Sequence, residues 1–348
     1  MPVFSDGELR DVGTRLLRAC GAPEAEAALV ASELVDASLM GLDSHGVARY
    51  PGYVDMALDG TVKPGAPVTV VRETQGTAVV DCGGNFGMVG GRKMVELVAA
   101  KARGPGIACV VSVHCNHVGR LGGYPQRLAE QGLFGFATVN SARPGHWVTP
   151  WGGREGRLAT NPLAWAAPAE GHPVVMDMST SMISEGKIRI LMHEGKPVPE
   201  GSLLDAAGAP TTEPMGFYGP PRGTILPFGS PRLGYKGFGL SLLVEILGST
   251  LAGVPLDEPG QTAAYVNGLF LLAIDPDAFG GRERFRGLLA ELFAYVSSSP
   301  PAPGTDGVVL PGALDFSTAE KRRRDGIPVA EETWRLIVEA GRKAGVSL

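Results

Sequence analysis

The middle of the chain alternates between short apolar runs and helical segments, and this alternation limits the possible folds more than any other feature of the sequence. The run Ile107–Val113 carries no charge, as expected of a strand that is buried on both faces. Further strands are predicted at 77–81, 133–139, 163–167, 174–177 and 269–274, and helices at 88–102, 124–131, 184–193, 238–251 and 284–296. This order predicts an α/β protein with a sandwich core.

Both ends of the chain are predicted to be helical. Ser5 and Glu8 fit a capping box that opens the first helix, and Pro23 opens a second. Helices return near the C-terminus after a proline-rich surface turn. The predicted domains are a helical domain at 1–72, joined by the C-terminal helices of 305–348, and an α/β domain at 73–304.

Charge and composition exclude several classes of protein. The net charge of −5 argues against a nucleic-acid partner, and the basic run at 321–324 fits a solvated helix face better than a phosphate patch. No stretch approaches the roughly 18 apolar residues of a membrane helix, and no basic region followed by an apolar one opens the chain. The cysteines at 20, 82, 109 and 115 lack the spacing of a disulfide framework. We therefore expect a cytoplasmic protein with no membrane partner.

Residues 43–50 place a histidine and an arginine four positions apart. Arg49 could hold a planar carboxylate through two parallel N–H donors, and His45 could exchange a proton near neutral pH. A ligand held by Arg49 would bring an adjacent carbonyl or hydroxyl towards His45, which indicates a small 2-oxo or 2-hydroxy acid. The alternative is a pair of solvated side chains on one helical face. Because Pro51 would interrupt a continuous helix, we expect a short or kinked turn here.

A glycine-rich segment at 114–123 leads from a predicted strand into a helix. Its backbone N–H groups and the positive end of the helix dipole would suit a phosphate. One alternative is a metal site, for which His114, Cys115 and His117 are possible ligands; another is a plain turn. A metal is less favoured, because neighbours at a strand end point to opposite sides and no second ligand cluster has a familiar spacing.

Two later segments also have the composition of ligand sites. Asp177, at a predicted strand end, could accept ribose hydroxyls, and Ser179 could donate to a phosphate, although both also suit a helix N-cap. Lys236 lies among glycines and could meet a phosphate or carboxylate, or could be a surface lysine on a turn. No G-x-G-x-x-G follows a strand and no P-loop occurs, so a dinucleotide site here would not be of the usual Rossmann kind.

Taken in order, these segments resemble the malate/L-lactate dehydrogenase family of type 2 oxidoreductases. Segments 117–122, 195–199 and 210–214 resemble the branch of bacterial hydroxycarboxylate dehydrogenases. The matching residues are Asp43, Ser44, His45, Gly46 and Arg49; Asn116, His117 and Gly119; Thr160, Asn161 and Pro162; Asp177, Thr180 and Ser181; Lys236, Gly237 and Gly239; and Leu310, Pro311 and Gly312.

The resemblance implies an NAD- or NADP-dependent oxidoreductase. It would move a hydride between nicotinamide and C2 of a small 2-oxo or 2-hydroxy acid of the malate, lactate or aryl-lactate type. It also implies a homodimer and a mostly antiparallel sandwich as the cofactor domain, unlike a Rossmann fold, flanked by a helical domain from both chain ends. Two alternatives remain open: a metal-dependent lyase or hydrolase using His114 and His117, and a reductase of a cyclic imine acid.

The resemblance also implies roles for single residues. His45 matches the acid–base histidine, with Ser44 beside it, and Arg49 matches the carboxylate-binding arginine. His117 matches a second histidine that some members use as proton acceptor, and no metal is expected. The cofactor positions are His45, Gly119, Arg120, Leu121, Ser141, Asp177, Met178, Ser179, Lys236, Asn267, Leu310, Pro311, Gly312 and Ala313. The sequence departs from the family at Tyr235, where many members have histidine, and at Ala313, where the family has a glutamate. The missing carboxylate at Ala313 leaves the choice between NAD and NADP open.

Overall fold

The computed structural model describes residues 1–255 and 266–348. Its strands are β1 Val3–Phe4, β2 Thr69–Glu73, β3 Thr77–Asp81, β4 Ile107–Val113, β5 Phe134–Ser141, β6 Leu163–Ala167, β7 Val174–Met178, β8 Leu203–Leu204, β9 Pro210–Thr211, β10 Thr224–Ile225, β11 Asn267–Ile274 and β12 Ile327–Pro328. Its α-helices are α1 Asp6–Ala19, α2 Glu24–Leu39, α3 Tyr50–Leu58, α4 Gly87–Ala102, α5 Gly123–Glu130, α6 Glu185–His193, α7 Met215–Tyr218, α8 Gly234–Glu245, α9 Arg282–Ser297, α10 Ala313–Asp325 and α11 Glu331–Lys343. None of these helices combines the length and the apolar character that crossing a membrane requires.

Among the described residues, seven strands form the central sheet in the order β2-β3-β4-β11-β5-β6-β7. Strands β3 and β4 are parallel, because the helix α4 connects them and carries the chain back across the sheet, and the other described pairs are antiparallel. Strand β11 follows the others in the chain but lies between β4 and β5, where Leu271 is opposite Val110 and Ala137. This mixed sheet with its helices confirms the predicted α/β class.

The two ends of the chain pack together. Strand β1 pairs with β12, so that Val3 lies opposite Pro328. One apolar core joins Leu16 and Leu34 of the first two helices to Ile337 of α11. Ser5 caps α1 as predicted: its hydroxyl accepts from the Glu8 amide, and the Glu8 carboxylate accepts from the Ser5 amide.

The histidine–arginine segment does not form one helix. It makes two 3₁₀ turns, Asp43–His45 and Val47–Arg49, and α3 begins only at Tyr50. Gly46 separates the turns, at a place where an added Cβ would come 2.0 Å from the Ser38 hydroxyl oxygen. Pro51 falls in the first turn of α3, where its missing N–H costs nothing. The expectation of a short or kinked turn is confirmed, and the helical alternative is wrong.

Candidate active site

A cavity of about 220 Å³ lies where the two 3₁₀ turns meet the sheet. Strand β5, the loop between β4 and α5, and the start of α6 complete its walls. It brings together ten of the residues singled out in the sequence: Ser44, His45, Arg49, His117, Gly119, Ser141, Thr160, Asn161, Pro162 and Asn267.

Arg49 is held in one orientation by its own turn. Its Nε donates to the Ser44 carbonyl oxygen at 2.7 Å. In the described part of the chain, no carboxylate lies within the 4.0 Å of an ion pair to this guanidinium. The two terminal nitrogens therefore remain available as a pair of parallel donors for a ligand carboxylate.

The two histidine rings lie side by side in the cavity. Their centroids are 6.0 Å apart and the ring planes differ by 21°. The Ser44 hydroxyl oxygen lies 3.0 Å from Nδ1 of His45. Burial, and then the positive charge of Arg49, lower the pKa of His45 to about 4. At neutral pH His45 is therefore neutral and able to accept a proton.

Tyr53 is a functional candidate that the sequence analysis missed. Its hydroxyl oxygen lies 2.6 Å from Nδ1 of His117, and its side chain is only 2% exposed. The Gly119 amide donates to the same Nδ1 at 3.3 Å. Burial, followed by the charges of Arg49 and His45, lowers the pKa of His117 well below its usual value. The sequence could have pointed to Tyr53, because this residue follows Arg49 by four positions at the start of α3.

A buried polar network supports the sheet side of the cavity. Both oxygens of Glu245 accept from amides, at 2.6 Å from Nδ2 of Asn140 and 2.8 Å from Nδ2 of Asn161. Asn161 has a left-handed backbone with φ of 39°, and its buried Oδ1 has no hydrogen-bond partner among the described residues. A π-helical turn, Ile246–Thr250, directly follows Glu245. The predicted helix at 238–251 is confirmed in position, but α8 already begins at Gly234, and the hydrogen-bond pattern changes from α to π after Glu245.

A second group of predicted cofactor residues lies at the start of α5. The Gly122 amide donates to Oδ2 of Asp177 at 2.7 Å, so this helix end already holds a carboxylate of the same chain. Arg120 points into the same cluster and donates to Gln126, while its Nε and Nη2 are buried without a partner among the described residues. Met178 ends β7, and the Ser179 hydroxyl donates to the Ser181 carbonyl oxygen.

The remaining predicted cofactor residues are spread more widely. Leu121 is a buried core residue, and Lys236 is exposed on α8. Gly312 packs against Val175 of β7. Leu310, Pro311 and Ala313 line another cavity, of about 800 Å³, between β7 and α9. The structure does not bring these residues into the cavity of His45, and their cofactor role stays a prediction.

The histidines proposed as metal ligands lie in different surroundings. Nδ1 of His114 lies 3.1 Å from a carboxylate oxygen of Asp81, whereas His117 faces His45 and Tyr53. Within residues 1–255 and 266–348, no group of three or more His, Cys, Asp or Glu side chains is arranged to hold a metal ion. The geometry therefore gives no support to the metal-dependent alternative.

Comparison with known proteins identifies the family of this chain. The family model described as malate/L-lactate dehydrogenase matches residues 4–338. The chain belongs to this family. It is 35% identical to a malate dehydrogenase of Pyrococcus abyssi over 97% of this chain and 94% of the relative. It is 33% identical to hydroxycarboxylate dehydrogenase B of Escherichia coli over 95% of this chain and 91% of the relative.

A solved structure agrees with this assignment. The sulfolactate dehydrogenase of Methanocaldococcus jannaschii superposes with a TM-score of 0.90 at 31% identity, covering 99% of this chain and 98% of that one. Membership in the family makes the protein a hydroxyacid dehydrogenase, as the sequence analysis predicted.

Proposed function

We propose that the cavity of His45 and Arg49 is the substrate site of an NAD- or NADP-dependent 2-hydroxyacid dehydrogenase. The observation that carries the proposal is the pairing of an oriented arginine with a neutral histidine in one cavity. Arg49 would hold the substrate carboxylate through its terminal nitrogens. In the direction of oxidation, His45 would take the proton of the C2 hydroxyl, and in the direction of reduction it would return that proton.

The residues around the cavity fit a nicotinamide cofactor. When bound, that cofactor accepts or supplies the hydride at C2. Gly119 lines the cavity with φ of 72°, a backbone conformation that favours glycine, and an added Cβ there would come 3.2 Å from Sδ of the buried Met88. The orphan acceptor of Asn161 at the cavity wall is a group that a carboxamide would satisfy, and the orphan donors of Arg120, in the second group at the start of α5, are groups that a phosphate would satisfy. We propose these residues, with Ser141 and Asn267, as its nearest contacts.

A panel of 2-oxo acids with NADH and with NADPH tests the proposal. Loss of the reduced-nicotinamide absorbance should occur with at least one of pyruvate, oxaloacetate, glyoxylate or an aryl-pyruvate, and should survive treatment with a chelator. Turnover of a cyclic imine acid alone would support the imine reductase, and loss of activity on chelation would support the metal-dependent enzyme. The same panel decides between NAD and NADP.

We propose that the substrate carries a second acid group. Arg189 of α6 lines the same cavity as Arg49, with Nη2 3.8 Å from a Glu185 oxygen. The other Glu185 oxygen accepts from the Tyr218 hydroxyl, so Arg189 is only weakly paired within the described residues. Malate and sulfolactate, the substrates named for two of the relatives, both have two acid groups.

Replacing Arg189 with Gln should therefore lower kcat/KM about tenfold further for oxaloacetate than for pyruvate, because only the former loses a charged hydrogen bond. Steady-state kinetics on both substrates measures this ratio. Arg324→Gln, at an exposed ion pair with Asp325 on α10, is the matched control for the loss of one charge. Equal losses of kcat/KM for oxaloacetate and pyruvate would show that Arg189 does not bind a second acid group.

We also propose that the protein is a cytoplasmic homodimer with the two domains predicted above. The pairing of β1 with β12 supports a helical domain from both chain ends, and the four cysteines, all free, suit a reducing compartment. Helix α9 has no buried residue: Leu292 is 51% exposed and Tyr295 79% exposed. An apolar helix face of this kind is typical of a subunit interface.

Light scattering after size exclusion should give the mass of two chains for the wild type. Leu292→Asp should shift the protein towards the monomer at micromolar concentration, because a buried unpaired charge is costly in an interface. Leu58→Asp changes a leucine of equal exposure, 52%, on α3 and is the control. A monomeric wild type, or the same shift in both variants, would contradict the proposed interface.

A further inference from the structure

Nδ1 of His117 receives hydrogen bonds from two sides. The Gly119 amide nitrogen lies 3.3 Å away and the Tyr53 hydroxyl oxygen 2.6 Å away. A backbone N–H can only donate, so Nδ1 must accept from it and carries no proton of its own. A neutral imidazole with an unprotonated Nδ1 has its proton on Nε2. The second donor at Nδ1 is then the Tyr53 hydroxyl.

His45 has a different kind of partner. Its Nδ1 lies 3.0 Å from the Ser44 hydroxyl oxygen. A hydroxyl can turn to donate or to accept, so this contact persists whether Nδ1 is protonated or not. His117 lacks this freedom, because a proton on Nδ1 would face the N–H of Gly119. Two rings 6.0 Å apart also disfavour two positive charges, so one histidine carries the proton.

We propose that Tyr53 is a positioning residue that, together with the Gly119 amide, holds His117 as an Nε2–H donor. In this arrangement His117 polarises the substrate C2 oxygen, and His45 carries the proton. This inference rests on the proposed function. In oxidation, the O–H and C2–H bonds of the substrate break and the C2 carbonyl forms. The proton goes to His45, the hydride leaves with the cofactor, and the new carbonyl oxygen accepts from Nε2 of His117.

The surroundings of Tyr53 keep its hydroxyl in place. The ring lies edge-on to Phe86 at 6.0 Å between centroids, and α3 carries it directly after the turn of Arg49. Burial lowers the pKa of His117, and Arg49 and His45 are the charged and titratable groups that lower it further. All three effects keep His117 neutral in the free protein, as a donor role through Nε2–H requires.

Nitrogen-15 NMR of the wild-type protein labelled at histidine tests the tautomer without any substitution in the measured chain. We expect His117 to have an unprotonated Nδ1 and a protonated Nε2. Its signals are assigned by their loss in His117→Gln. The ring should show no titration from about pH 5.5 to 8. A proton on Nδ1, or a midpoint near the ordinary histidine pKa, would overturn the proposal. This result does not depend on turnover, so it can fail or succeed separately from the proposed function.

Kinetics of matched variants test the division of roles. Tyr53→Phe should lower kcat about tenfold with a smaller change in KM, because the orienting hydrogen bond is lost. Tyr50→Phe is the control: it removes a buried hydroxyl on the same helix that donates to the Leu9 carbonyl oxygen, and it should alter stability but not kcat. If kcat of Tyr53→Phe equals that of Tyr50→Phe, Tyr53 does not position His117.

Glutamine substitutions separate a donor from a proton carrier. Glutamine keeps an N–H donor but cannot transfer a proton at neutral pH. We therefore expect kcat of His117→Gln to exceed that of His117→Ala about tenfold, whereas His45→Gln should be as slow as His45→Ala. The opposite pattern would make His117 the proton carrier and overturn the proposal.

Discussion

Replacing His45 with Gln should lower kcat about 10²–10⁴-fold, the usual contribution of a positioned acid or base. The reason is that His45 has a hydroxyl partner at Nδ1 that tolerates both protonation states, and lies in the cavity that Arg49 shares. Initial rates at saturating substrate and cofactor measure the loss. Cofactor affinity, followed by nicotinamide fluorescence, should change far less than kcat. A kcat within a few-fold of the wild type would mean that His45 is not the acid–base group.

The pH dependence of oxidation gives an independent check on His45. Its pKa of about 4 in the free protein keeps it neutral, so kcat/KM for the hydroxy acid should stay level from neutral pH down to about pH 5 and fall below that. A bound carboxylate offsets the charge of Arg49, which is one of the two causes of the lowered pKa. The acid limb of kcat should therefore lie at higher pH than the acid limb of kcat/KM. A kcat/KM limb near the ordinary histidine pKa would contradict this environment.

Local sequence signals predicted most of the helices and strands and the proximity of His45 and Arg49. The apolar runs of β4 and β6 and the capping box at Ser5 act over a few residues, so the sequence expresses them directly. His45 and Arg49 are also close in the chain, and their common cavity follows from two adjacent turns. The predicted α/β class held because helices and strands alternate along the chain.

Contacts between distant segments escaped the sequence analysis. Strand β2 has every residue exposed and lacks the apolar alternation that reveals a strand, so only its pairing with β3 defines it. Glu245 supports the cavity from α8 through amides of β5 and of the loop before β6, a connection that spans about a hundred residues of chain. Tyr53 is coupled to His117 across the boundary between the helical segment and the sheet. Such pairings exist only after the fold has formed.

Replacing Arg49 with Lys should raise KM for the 2-oxo acid about 10–100-fold, the cost of one charge-assisted hydrogen bond, while kcat at saturation falls much less. Nε of Arg49 is already committed to the Ser44 carbonyl oxygen, so two terminal nitrogens face the ligand in a fixed plane. Lysine keeps the charge but offers one flexible ammonium without that plane.

The retained charge makes Arg49→Lys a sharper test than removal of the charge. The positive charge beside His45 and His117 contributes to the lowered pKa of both rings, and lysine should largely preserve it. Arg49→Gln, in contrast, should raise the pKa of His45 as well as KM, since one cause of the lowered value is gone. Steady-state kinetics and histidine NMR on the two variants separate the carboxylate-binding role of Arg49 from the effect of its charge. An unchanged KM in Arg49→Lys would show that the substrate carboxylate is held elsewhere. A changed His45 pKa in Arg49→Gln would still show that the two side chains are close together.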